Sequence, residues 1–124
     1  MSICFIAGGI AKALQVTAFT LVWTHSVQKT DWQEDWQVSA GGLTLVEARI
    51  KGSSAGIDPP AEARLVDGWW RWQPPPVNRS EVVLAHSAAA GDWRICRSET
   101  CTPLHQIMGP GTTGPVTMRP CPAQ

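Results

Sequence analysis

Polar and apolar residues alternate along much of this chain with a period of two, the spacing of a half-buried β-strand. The clearest run is Asp31–Ser39, where Trp32, Glu34, Trp36 and Val38 share one face and Gln33, Asp35 and Gln37 the other. Upstream, Gln15–Val27 reads as a longer strand, with Phe19, Leu21, Trp23 and His25 on one face and Thr20, Val22, Thr24 and Ser26 on the other. Joined through Gln28 to Asp31 as an antiparallel hairpin, the two set Val27 opposite Trp32, His25 opposite Glu34, Trp23 opposite Trp36 and Leu21 opposite Val38. Each inward apolar residue then meets another, and the inward histidine meets the inward acid. A one-residue slip would turn every side chain to the other face.

The same reading makes Ser2–Ile6 a short strand followed by an Ala7-Gly8-Gly9 turn, and places another turn at Ala40-Gly41-Gly42. Leu43–Ile50 is apolar on both faces, Leu43 and Leu45 on one and Val46, Ala48 and Ile50 on the other, so its inward face is left open. Lys51–Pro60 is a loop of small residues, and Ala61–Val66 a helical turn or an irregular connection. Trp69–Trp72, Glu81–His86, Asp92–Cys96, Cys101–Gln106 and Val116–Arg119 are further strands. Frequent glycine and proline cut the chain into pieces too short for long helices. The sum is an all-β fold, a compact antiparallel sandwich or small barrel of about eight short strands, with residues 1–124 as one β-rich domain.

Charge is balanced, ten basic against ten acidic residues, with no basic run. That excludes the electrostatic footprint of nucleic-acid binding. Residues 3–22 are largely apolar, but Lys12 and Gln15 interrupt them and Gly8-Gly9 suits a turn. The stretch therefore reads as strands rather than a membrane span, and it is no clear signal peptide. The four cysteines lack zinc-site or redox-motif spacing. Cys96 and Cys101 fit a hairpin with the sulfurs facing each other, and Cys4 and Cys121 lie near the two ends. Two such bridges belong to an oxidising compartment, which favours the periplasm or cell envelope over the cytoplasm.

His25 beside Glu34 is the base half of a catalytic triad, but Ser26 faces the other way on an alternating strand, and no nucleophile elbow exists. No catalytic residue is assigned. A hydrolase is the weakest reading and a structural polar rung the simplest. His25 and Glu34 with His86, His105 or Glu47 offer metal-ligand chemistry, yet no two histidines are closely spaced, so no metal site and no cofactor are assigned. Trp69-Trp70-Arg71-Trp72 must place tryptophans on both faces of a strand, which makes Trp69 a candidate stacking platform, whereas Trp23, Trp36 and Trp93 are expected in the core.

Several motifs together resemble a small bacterial family known only as domain of unknown function 1850: residues 19–30 with their His-Ser-Val-Gln-Lys-Thr element, Trp32-Gln-Glu-Asp-Trp36, residues 42–49, Lys51–Pro60, Asp67-Gly-Trp-Trp70, Gly91–Cys96 and Arg119-Pro-Cys121. The likeness runs along nearly the whole chain, although Ser54 and Ile57 depart from the family's Gly-Ser-Gly-Ala-Gly-Met loop. Members of that family are often encoded beside TRAP-type transporters of the TAXI class. The resemblance thus implies a non-enzymatic accessory or binding module linked to solute uptake, its partner a transporter component or the solute. The alternative is a small-ligand or metal-binding domain using His25 and Glu34. The candidate ligand-binding residues are His25, Ser26, Lys29, Glu34, Glu47 and Trp69, and the candidate disulfide cysteines are Cys96, Cys101, Cys4 and Cys121.

Overall fold

The computed structural model describes residues 1–24, 31–51, 59–75, 77–85, 93–109, 112 and 114–122. They form β1 (Ser2–Ala7), β2 (Ile10–Gln15), β3 (Ala18–Thr24), β4 (Asp31–Ser39), β5 (Gly42–Lys51), β6 (Arg64–Val66), β7 (Trp69–Trp72), β8 (Asn78–Arg79), β9 (Val82–Leu84), β10 (Trp93–Arg97), β11 (Thr100–Pro103), α1 (Leu104–Met108) and β12 (Val116–Pro120). One antiparallel sheet runs β2-β1-β12-β9, and a longer one runs β11-β10-β3-β4-β5-β7-β6, with β8 also on β5. The expected all-β sandwich is borne out; among the described residues neither sheet closes into a barrel.

Tight turns make more strands than the alternation suggested. Gly8 and Gly9 both have positive φ, 54° and 83°, the conformation of a two-residue hairpin turn, and they join β1 to β2. Asp67 and Gly68, with φ of 51° and 85°, do the same for β6 and β7. Ala61–Val66 was expected to be irregular or helical; its last three residues are instead the edge strand β6. The expected strand Gln15–Val27 begins only at Ala18, since Gln15 closes β2. The expected strand 101–106 ends at Pro103, and α1 follows, burying Leu104 and Met108 one helical turn apart. Gly109, at φ 89°, ends it.

The core lies between the sheets. Ile3, Phe5 and Ala7 alternate inward on β1, joined by Leu84 of β9 and Val116 and Met118 of β12. They meet Phe19, Leu21, Trp36, Val38, Leu43 and Ile95 of the longer sheet. Leu104 and Met108 of α1 join the same cluster. At the β4–β5 turn, Gly42 (φ 151°) lies so close to β8 that a Cβ would stand 2.5 Å from the Arg79 carbonyl oxygen.

Both disulfides form as the cysteine positions indicated. Cys96 and Cys101 are direct cross-strand partners on β10 and β11, and Cys4 of β1 joins Cys121 just beyond β12.

Two stability predictions follow from this architecture. The Cys4–Cys121 bridge spans 117 residues and Cys96–Cys101 spans 5. Chain-entropy reasoning makes replacing the first pair with alanine more costly than replacing the second, by about 2–3 kcal/mol. Urea unfolding of the two double variants measures the difference, and equal losses would refute loop length as the cause. Gly42→Ala should lower stability by about 1–3 kcal/mol, because it combines an unfavourable φ with a clash against the β8 backbone; an unchanged urea midpoint would show that β8 moves aside freely.

Candidate functional site

The longer sheet has two chemically opposite faces, and the register of its central strands decides which residues each receives. β3 and β4 pair Phe19 with Trp36, Leu21 with Glu34, Trp23 with Trp32 and Thr24 with Asp31. This corrects the sequence-based register by four residues: Trp23 does not face Trp36, Leu21 does not face Val38, and the rung opposite Glu34 belongs to Leu21, not His25. Any even shift keeps every side chain on its face, so the facial pattern is right and the partners are wrong. The β5 strand carries one unmatched residue, Val46, between the rungs Asp35–Glu47 and Trp36–Leu45. This bulge changes its inward phase from Leu43 and Leu45 to Ala48 and Ile50 and sends Glu47 and Arg49 outward.

The outward face is ionic. The Arg49 guanidinium donates to both Asp35 carboxylate oxygens, at 2.8 and 3.1 Å, and through Nε to Gln33 Oε1 at 2.8 Å. Asp35 also accepts from the Thr20 hydroxyl at 2.7 Å. Glu47 accepts from Arg71 Nε at 2.6 Å and lies 3.5 Å from Arg49. Arg94 donates to the Thr24 hydroxyl, which donates to Asp31. Burial pushes the Asp35 carboxyl up, but the hydrogen bonds from Arg49 and Thr20 and the charges of Arg49 and Arg71 outweigh it, holding Asp35 below the ordinary value of 3.8. Burial likewise lowers the Arg49 pKa, and the bonds and charges of Asp35 and Glu47 more than reverse it.

The inward face divides in two. Its lower part is the core, up to Leu21 and Trp36. Above that lie Trp23, Trp32, Trp70, Trp72 and Trp93, all half-buried. Trp23 and Trp93 are cross-strand partners and stack with centroids 5.8 Å apart. Trp32 and Trp72 lie on either side of β5 and meet edge to face, also at 5.8 Å with an interplanar angle of 81°. Their rings lean across Ala48 and Ile50, which are 2% and 1% exposed. Glu34 stands among them, half-buried, its Oε1 accepting from Trp36 Nε1 at 3.2 Å.

The candidate residues are thereby separated. Glu34 is on the inward aromatic face. Glu47 is on the outward face, paired with arginines. Trp69 is also outward, half-buried, with the Lys51 ammonium 5.6 Å from its ring centroid. His25, Ser26, Lys29 and His86 lie outside the described residues, as does the Gly52–Asp58 part of the loop. Of the three tryptophans expected in the core, Trp36 is there at 3% exposure, whereas Trp23 and Trp93 are half-buried. Among the described residues no cluster of three His, Cys, Asp or Glu could hold a metal ion. Sequence reasoning missed the Asp35–Arg49–Glu47–Arg71 ladder. Its signal was the polar side of β4, Asp31, Gln33 and Asp35, which needed outward partners on the next strand.

A family model for a domain of unknown function, DUF1850, matches residues 19–104. The chain belongs to the DUF1850 family. The DUF1850 match covers nearly all of the long sheet, so both of its faces fall within it, while β1, β2, β12 and the Arg119-Pro-Cys121 motif fall outside. Searches of curated proteins and of solved structures find no match.

The ladder predicts an acid-dependent stability. A carboxyl whose folded pKa is depressed contributes fully above its unfolded value and loses that contribution as pH falls through the folded one. The melting temperature of the wild type should therefore fall as pH drops below about 4, and Asp35→Asn should lack that component. Parallel pH profiles for the two proteins would show that Asp35 is not its source.

Proposed function

We propose that this DUF1850 domain is a non-enzymatic binding module, working outside the cytoplasm beside TRAP-type transporters of the TAXI class and serving solute uptake. The observation that carries the reading is the half-buried tryptophan face with Glu34, above the part of the long sheet that the core cluster covers. Large, partly accessible indoles with one carboxylate provide area and orientation for a ligand, the composition of a recognition surface.

A further feature supports it. Both cysteine pairs are bridged, which suits an oxidising compartment. No helix among the described residues is long and apolar enough to cross a membrane. The link to TAXI-class transporters rests on the company that members of the family keep.

A panel of cationic, anionic and neutral solutes, screened by thermal unfolding, tests the binding role. At least one class should raise Tm, by about 5 °C or more at a hundredfold excess over Kd, and Trp72→Leu should lose the response. If no class shifts Tm, or if Trp72→Leu responds like the wild type, the aromatic face is not a binding site.

A further inference from the structure

The faces of the long sheet differ most in where their charges lie. Asp31, Asp35, Glu47, Arg49, Arg71 and Arg94 project outward and are joined by ion pairs. On the inward face of β3, β4, β5 and β7, as the rungs define it, Glu34 is the one charged residue among those described. Its neighbours along the rung are Leu21 and Ala48, both buried. Its neighbours along β4 are Trp32 and Trp36. Among the described residues, no basic side chain reaches it, and Trp36 Nε1 is its one hydrogen-bond donor.

Resting on the binding reading above, we propose that the ligand of this face is a small organic cation, and specifically an alkylammonium with few or no N–H groups. Indole faces carry negative electrostatic potential and attract cations while repelling anions. The edge-to-face pair Trp32–Trp72 presents two indole planes at nearly a right angle, so a compact cation meets both at once. Glu34 supplies the countercharge beside Trp32, and its interaction with Trp36 fixes where that charge sits. A primary ammonium demands three acceptors. The tryptophan rings provide none and Glu34 provides one carboxylate, so a methylated ammonium, which needs charge and contact instead of hydrogen bonds, fits this lining better. The outward face cannot compete for the same ligand, because its carboxylates already face arginines.

Tetramethylammonium is the probe, with tert-butanol as a neutral molecule of similar size and acetate as an anion, followed by tryptophan fluorescence at pH 8. The intact chain with its disulfides is used. Tetramethylammonium should produce a saturable change, and Glu34→Gln, which still accepts from Trp36 Nε1, should weaken it about tenfold or more. Glu99→Gln, which removes an exposed acid in the turn between β10 and β11, should leave it unaltered and so excludes general attraction of cations to the protein. A cooperative melting curve for Glu34→Gln, with a Tm no lower than that of the wild type, confirms that the variant is folded. Saturation by tert-butanol or acetate as strong as by tetramethylammonium, or equal affinity in Glu34→Gln, overturns the cation assignment while the binding reading stands. Silence towards tetramethylammonium also overturns it. The binding reading itself falls only if the whole solute panel leaves Tm unmoved or if Trp72→Leu responds to it like the wild type.

Discussion

The bulge at Val46 is the constraint on which both faces of the long sheet depend. A strand that alternated strictly from Leu43 and Leu45 would turn Glu47 and Arg49 into the interior and expose Ala48 and Ile50. Unpaired burial of those charges would cost far more than a bulge. One extra residue reverses the phase, so Leu43 enters the core while Glu47 and Arg49 join the ladder outside. Ala48 and Ile50 then lie under Trp32 and Trp72. The outward ionic face and the inward aromatic face are thus two consequences of one local irregularity.

How much of this was legible differs from element to element. Alternation placed Trp32, Glu34, Trp36 and Val38 together, and they are together, because side-chain direction depends only on parity. Partner choice depends on absolute register, and the residues between Thr24 and Asp31 contain no strong turn signal, so parity could not separate the observed rung Leu21–Glu34 from one four residues away. The bulge was visible as a strand apolar on both faces, a pattern that a phase change explains better than two buried faces. Asp67-Gly68, a strong short hairpin signal, announced β6 to anyone who read it as a turn rather than a connector. The helix α1 was hidden because five residues carry too little periodicity to compete with alternation. Of the candidate site, the structure places Glu34, Glu47 and Trp69, and it separates Glu34 from the other two by the thickness of the sheet.

The distribution of charge carries a physical asymmetry. Exposed ion pairs contribute little individually, but Arg49 is only 14% exposed along its side chain and holds Asp35 through two nitrogens, so it pins β4 to β5 where the bulge loosens the ladder. Arg71 extends the same ties to β7 through Glu47. That arrangement leaves the inward face free of any structural need for charge. Glu34 is then an expense for folding: a carboxylate half-removed from water, balanced among the described residues by one indole N–H. Glutamine would keep that hydrogen bond without a charge. The proposed cation supplies the countercharge that the described residues lack.

The family match divides the fold unequally. It begins at Phe19 and ends at Leu104, taking in the sheet that bears both faces and leaving out β1, β2 and β12, which supply most of the core's opposite wall. What that wall must do is generic: alternate apolar residues such as Ile3, Phe5 and Ala7 against Phe19, Leu21 and Trp36, with a closing bridge at Cys4–Cys121 to hold chain ends 117 residues apart. Many sequences satisfy that requirement. The long sheet has a narrower one, since it must bulge at a defined rung, pair Asp35 with Arg49, and set Glu34 between tryptophans. A recognisable sequence pattern is expected where the physical specification is narrow, and here it falls on the sheet that carries the proposed ligand face.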